Sequence, residues 1–384
     1  MISGDTAKLA PTERAHVIAD TIVRPTADDV DASARFPHES LAAIREARLL
    51  STMIPAKFGG EGTSFRETGG VVEQLARGCA STAMIYAMHQ VQVACLVRHA
   101  LAGGGPGYLR EVAAGELLLA SATSEVGIGG DIRSSLCAVE INGDQFVLLK
   151  NAPVVSYGQF ADALLVTARR KPDSAPSDQV LVLCERSGLE LAQTGTWETL
   201  GLRGTCSPPF SISASGSTSR IFEQPFADIL AQTMHPVSHA LWASVWLGMA
   251  TEAYNVARRY IQEQARRSVG RIPPEATRLA ELATAHHQLV TLVHAATERL
   301  DAADAADLAA ASSQVEMNAV KVAASTLVVD IVGQAMLITG MAGYRTNSEC
   351  SLGRLLRDAY GTKIMINNDR IMANSAHLLL TVRS

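Results

Sequence analysis

Apolar residues return at helical spacing through most of the chain, and one internal stretch breaks that rhythm. Residues 11–24 and 38–50 read as amphipathic helices, the second capped by the polar turn around His38–Ser40. In STMIPAKFGGEGTS, Pro55 and the glycines Gly59, Gly60 and Gly62 interrupt the pattern and predict a compact loop. Helical spacing resumes from Arg66 to about His99. That run is too long for one uncapped helix, so we expect a break near Cys79–Ala80–Ser81 with Ser81 as N-cap. LAGGGPG (101–107) reads as a loop, and a short helix over 107–114 follows.

Residues 119–166 are different. Short β-branched runs alternate with glycine-containing turns, and SEVGIGGD places three glycines and an acid where a backbone turns tightly. FVLLKNAPVVSYG and ADALLVTAR read as two buried strands, with a hairpin turn at the NGD of INGDQF. Beyond the polar loop KPDSAPSDQ, further strands are expected at VLVLCE, LELAQ, FSISA and RIFEQ, with a Gly- and Pro-rich turn at TLGLRGTCSPP.

From about Met234 the helical pattern persists. One long helix ends at Gly270 beside several arginines. A second begins near Pro273 and Pro274 and runs through DAADAADLAA. A third is broken at Gly340, and the last runs from Leu352 to Leu380 with a break near Gly361. The expected layout is α+β: a helical N-terminal domain (1–115), a β-barrel-like middle domain (116–230) and a C-terminal four-helix bundle (231–384).

Composition narrows the function classes. The 384 residues are 47% hydrophobic and 18% charged, with a net charge of −5 and no basic block, which excludes a nucleic-acid surface. The six cysteines (Cys79, Cys95, Cys137, Cys184, Cys206, Cys350) are scattered and read as reduced thiols. MISGDTAKLAPTER lacks the features of a secretory signal. HALWASVWLGMATEAYNVA, taken as the most apolar stretch, is interrupted by His239, Ser244 and Glu252 and reads as a buried helix. The expectation is a soluble cytoplasmic protein that does not engage a membrane. HHQLVTLVHAATE puts His287, His294 and Glu298 on related turns without an HExxH arrangement, so no metal site is expected.

In this order, the segments resemble the acyl-CoA dehydrogenase superfamily over nearly the whole chain. MIPAKFGGEG is similar to its "vPe-x-yGG-x-G" loop, LARGCASTA to its "lar-x-cas-x-a" helix start and SEVGIGGD to its "TEP-x-x-GSD" flavin loop. VVSYGQFAD resembles "W-I-[ST]-N-x-x-x-AD", and WETLGLRGTCS resembles "lGlRgT-x-S". RRSVG, TGMAGY and RLLRD resemble "R-x-x-FG", "GG-x-GY" and "R-x-x-RD". The resemblance implies an FAD between the β-domain and the C-terminal helices of two subunits, hence a homodimer or homotetramer. It implies that Ser121, Thr123 and Ser124 face the isoalloxazine, that Gly129 and Gly130 offer N–H groups to the pyrophosphate, and that Ser156 hydrogen-bonds the ring. Val154 stands where an aromatic usually covers the flavin. Arg266 would reach the phosphates of a neighbouring protomer.

The resemblance fails at the base. Members remove an acidic α-proton with a glutamate, which lies nine residues after the Arg of "RD" or ten before a glycine on the first C-domain helix. Those counts give Ile366 and Ser238, so no catalytic residue is assigned. Val269 and Leu337 replace the usual Phe and Gln, and Gly130 the usual Ser. Asp369 and His239 are substitute candidates, although a surface charge and a satisfied core group are the commoner roles for such residues. His89 and His99 read as hydrogen-bonded core histidines.

The chain is therefore expected to be a flavin-dependent oxidoreductase. It would oxidise an acyl-CoA thioester by α,β-dehydrogenation, by O2-dependent oxygenation of the acyl group, or by both, with O2 or an electron-transfer flavoprotein as acceptor. The alternatives are a monooxygenase acting on a non-CoA substrate, or a non-catalytic flavin- or acyl-CoA-binding protein.

Overall fold

The computed structural model describes residues 9–99, 101–102, 107–267 and 272–380. Local signals start the first helices. α1 (Pro11–Ile18) has proline at its opening, and Glu13 reaches back to the Ala10 N–H at 3.0 Å. It continues through a π-turn into α2 (Arg24–Ala32), and α3 (His38–Glu46) follows. α4 (Phe65–Gly78) opens on a capping box, Glu67 N donating to Ser64 Oγ at 3.1 Å and Ser64 N to Glu67 Oε2 at 2.9 Å. The break before α5 (Ala80–Arg98) falls one residue wide at Cys79, which is extended (φ −150°, ψ 119°) and is itself the cap residue. Ser81, expected there, is buried inside the helix. α6 (Gly107–Gly115) completes this part.

Among the described residues seven strands follow: β1 (Leu119–Ala122), β2 (Glu140–Asn142), β3 (Gln145–Ala152), β4 (Ala163–Arg169), β5 (Gln179–Glu185), β6 (Leu189–Gln193) and β7 (Phe210–Ser217). They form two sheets, β1-β4-β5 with β1 parallel to β4, and the antiparallel β2-β3-β7-β6. Isolated bridges at Ala138–Arg169 and Val182–Ile221 tie their edges together. β4 is buried almost throughout, as expected. β3 is not: it alternates, with Phe146, Leu148, Lys150 and Ala152 inward, and it stops before VVSYG, where Tyr157 turns the chain at φ 43°. RIFEQ forms no strand. Its first residue closes a 3-10 turn, and Ile221 makes only a single bridge to β5.

α7 (Phe226–Ile229) and a π-turn lead into α8 (His235–Arg267). The expected end of α8 at Gly270 lies outside the described residues, as does Val269. α9 (Ala276–Ala302) is shorter than expected, because Ala303 is extended and Asp304 caps a separate α10 (Ala305–Ala309). α11 (Ala311–Thr339) ends at Gly340 as anticipated, followed by α12 (Met341–Tyr344), α13 (Gly353–Ile364) and α14 (Asn368–Leu379). α11, rather than the 239–257 stretch, is the one described helix long and apolar enough to cross a membrane, and it packs against α8, α9, α13 and α14.

The last break is at 365–367, not at Gly361. Ile366 takes φ 46°, unusual for a β-branched residue. Fully buried Lys321 of α11 holds it there, its Nζ donating to Thr362 O (3.1 Å), Ile366 O (2.6 Å) and Asn368 Oδ1 (2.6 Å). Burial pushes this lysine down to about 8.

His89 joins the helical and β parts. Its Nε2 donates to Leu50 O at 2.8 Å and its Nδ1 accepts from Leu119 N at 3.0 Å, fixing the start of β1. Burial lowers its pKa to about 4, so the ring is neutral in the folded state. Unfolding lets it protonate below its ordinary value of 6.5, so its contribution is present above that pH and is lost as pH falls toward 4. We predict that this one group costs on the order of 2 kcal/mol of stability between pH 7 and pH 5. Urea unfolding at the two pH values should show a shallower loss in His89→Gln than in the parent. Equal losses would remove the assignment.

Candidate functional site

A cavity of about 1450 Å³ opens between the β1 loop, α5, the start of α8 and the α13–α14 corner. Seven of the eight residues named from the sequence line it: Ser121, Thr123, Ser124, Gly129, Gly130, Val154 and Ser156. β1 delivers Ser121, and Thr123 and Ser124 follow directly. Ser124 Oγ donates to Val154 O at 3.2 Å, joining this loop to the segment after β3. Ser207 Oγ donates to Ser156 Oγ at 2.9 Å. Val154 is 44% exposed, so no bulky side chain covers this wall. Arg266 lies exposed near the end of α8 and does not line the chain's own cavity.

The glycine loop is held from two sides. Behind it, Glu125 is buried and accepts from Cys137 N at 2.7 Å and Leu136 N at 3.1 Å, while Lys150 Nζ lies 3.5 Å from its Oε2. Lys150 also donates to Thr167, whose Oγ1 donates to Thr123 O at 3.3 Å. In front, Arg370 of α14 donates to the carbonyls of Gly130 and Gly129, the latter at 2.9 Å. Both glycines have positive φ (61° and 79°), and a Cβ on Gly130 would meet Arg370 Nη1 at 2.3 Å. Their N–H groups have no hydrogen-bond partner among the described residues. A turn with free N–H groups, flanked by Arg370 and the cavity-lining Arg133, is a cradle suited to a phosphate. The hydroxyls beside it suit the polar edge of a flavin ring. The residues present therefore fit that cofactor.

Both positions reached by counting for the base face the cavity, and neither is acidic. Ile366 is 40% exposed, and Ser238 Oγ donates to Met234 O at 2.5 Å. Among the described residues Asp131 is the only carboxylate in the lining, and it accepts from Arg133 N at 3.1 Å within its own turn. Asp369 is exposed on α14, outside the lining. His89 and His99 are hydrogen-bonded core groups, His99 Nε2 lying 2.9 Å from Thr233 Oγ1.

His239 departs from the expectation of a satisfied core group. It is buried and lines the cavity, and only its Nδ1 has a partner. Sequence reasoning missed His235, Asn318 and Arg370. The i,i+4 spacing in HPVSH was the available signal for the first of these.

Comparison with known proteins places this geometry. Residues 8–116 match the N-terminal domain model of acyl-CoA dehydrogenase, and residues 230–376 match its C-terminal domain model. Cyclohex-1-ene-1-carbonyl-CoA dehydrogenase of Geobacter metallireducens is 25% identical over 372 residues, covering 92% of each chain. Among solved structures, FMN-bound TdsC of a Paenibacillus species, a dibenzothiophene monooxygenase, superposes with a TM-score of 0.84 at 18% identity, over 97% of this chain and 98% of that one. Butyryl-CoA dehydrogenase of Megasphaera elsdenii gives a TM-score of 0.81 at 17% identity, over 99% of both chains. With both family models in order across the helical parts and this fold between them, the chain belongs to the acyl-CoA dehydrogenase superfamily.

Proposed function

We propose that this flavin-dependent oxidoreductase is built for O2-dependent oxygenation rather than for α,β-dehydrogenation by a carboxylate base. One observation carries the reading: Ser238 and Ile366 both face the cavity, and neither can accept a proton as a glutamate does. A bound flavin would supply the redox chemistry: for oxygenation, two electrons from an external reductant of the reduced-nicotinamide class, one oxygen atom of O2 going to the substrate and the other to water. FAD is the expected form, while the similar TdsC is FMN-bound.

The chain's own residues do the rest. Gly129 and Gly130 N–H groups, with Arg133 and Arg370, hold phosphate, and Ser121, Thr123, Ser124 and Ser156 set the ring's polar edge. Met84, Met88, Val91, Phe226, Met234 and Trp242 wall an apolar chamber that holds the substrate and excludes water. Arg266 would serve a neighbouring subunit in a homodimer or homotetramer. Leu337, Met341 and Tyr344, all more than 60% exposed, would gain cover in such an assembly. A cytoplasmic location fits the six free thiols.

The second reading is acyl-CoA oxidation, with electrons leaving through an electron-transfer flavoprotein. Full-length similarity to CoA dehydrogenases favours it. Mass spectrometry of products from CoA-thioester and CoA-free panels under oxygen-18, each run with a flavin reductase and reduced nicotinamide, separates the two. Label in the product supports oxygenation, and an unlabelled enoyl product supports dehydrogenation.

Two variants test the site. Ser124→Trp fills the space beside Val154, so its flavin absorbance should fall below about a tenth of the parent's with the far-UV spectrum unchanged. Normal flavin content would count against the loop assignment. Ile366→Glu puts a carboxylate into the cavity and relieves a β-branched residue from positive φ. Anaerobic bleaching by butyryl-CoA should then be at least about tenfold faster than in the parent. Unchanged bleaching would mean that position 366 is not within reach of an α-proton.

A further inference from the structure

The first turns of α8 bring His235 and His239 one above the other, with ring centroids 4.1 Å apart, at the end of the cavity walled by Phe226, Met234 and Trp242. Their hydrogen bonds fix which nitrogen carries each proton. His239 Nδ1 lies 3.2 Å from Met317 O, and a carbonyl only accepts. Nδ1 is therefore the donor, and Nε2 keeps a lone pair. His235 Nε2 lies 2.9 Å from Asn318 Oδ1. The Asn318 amide is oriented by its Nδ2, which donates to Asn374 Oδ1 at 3.2 Å and to Ser375 Oγ at 3.0 Å. Its Oδ1 accordingly accepts from His235, and His235 Nδ1 keeps a lone pair as well.

These two lone-pair nitrogens, His239 Nε2 and His235 Nδ1, are buried and have no partner among the described residues. Trp242 Nε1, a donor only, is buried and unpartnered beside them. Ser238 offers nothing to offset this, because its hydroxyl proton is spent on Met234 O. Buried polar atoms left without partners are costly and mark a place where a ligand or water completes the set. Burial holds both rings far below the ordinary histidine value, His235 at about 4, so neither attracts an anion by charge.

We propose that this end of the cavity is a substrate-anchoring subsite. In it, His239 Nε2 accepts the one hydrogen bond donated by a hydroxyl group on a ring-shaped, apolar substrate of the phenol class. A hydroxyl partners two of the three atoms, donating its one proton to His239 Nε2 while accepting from the Trp242 N–H. A carboxylate or phosphate would bring only acceptors to the two imidazole lone pairs. A plain hydrocarbon would leave all three atoms unpaired. The proposal rests on the reading of the cavity as the chamber for flavin and substrate. It assigns His239 to specificity and leaves the chemistry to the cofactor.

The test is equilibrium titration of the flavin-loaded protein with 2-naphthol and with its methyl ether, 2-methoxynaphthalene, which has the same ring system and no donor. The parent should bind the naphthol at least about tenfold more tightly, because the ether leaves the imidazole nitrogens unpaired. His239→Leu should reduce that preference to less than about threefold while changing ether affinity little. His239→Gln, which keeps a hydrogen-bonding group near Nε2, should recover part of the preference and serves if the leucine variant fails to fold. Equal affinities in the parent, no binding of either probe, or a preference that survives in a folded His239→Leu would each overturn the subsite. Oxygenation is judged separately by oxygen-18 incorporation. Label in products from donor-free substrates, with no naphthol preference, would leave the oxygenase reading standing and remove this one.

Discussion

The arrangement around the cavity depends on how closely α8 lies against α4. Gly248 makes that approach possible, since a Cβ there would stand 2.4 Å from Glu73 O and 2.5 Å from Ala76 Cβ. With the two backbones in near contact, α8 buries most of its first twenty residues and also packs on α5, α9 and α11. Its opening turn is thereby held still against α11, where Met317 and Asn318 fix the two histidine rings. A wider gap between α4 and α8 would move this turn relative to β1, and the wall bearing the polar pair would no longer oppose the wall bearing the serines.

The other side of the cavity is fixed by buried charge rather than by apolar packing. Lys150 and Glu125 sit behind the glycine loop with their polar atoms occupied, which is the condition under which burying ionisable groups is tolerated. Lys321 does the same for the α13–α14 corner, where its three acceptors hold Ile366 in an unfavourable backbone region. Both lysines are held below their ordinary pKa by burial, and both meet backbone carbonyls as well as side-chain oxygens.

Much of this was legible in the sequence. The long helices declared themselves through apolar periodicity, and Gly340 marked the end of α11. The glycines of SEVGIGGD marked the cavity loop because positive φ has a direct residue signature. Features set by tertiary contact were not legible. The corner at 365–367 depends on a lysine some 45 positions earlier in the chain, and nothing local to Ile366 announces it. RIFEQ has strand composition but makes only isolated bridges, Ile221 to Val182 and Phe222 to Leu101. The cap at Cys79 supplies no side-chain acceptor, so residue-type preference pointed to Ser81 instead. His239 was visible as a residue, while its unpaired nitrogen depends on Met317 from a different helix. Counting from the RD segment and from Gly248 did reach two positions that face the cavity, so motif spacing carried over even where the residue type did not.

Arg370 and the glycine loop it grips are separated by 240 positions. During synthesis the loop therefore leaves the ribosome long before the side chain that fixes its shape exists. The sheets can fold around an unfinished cradle, but its front side closes only when the final helix docks. A nascent chain has its glycine turn without its counter-support, and the final form of that turn is coupled to completion of α14.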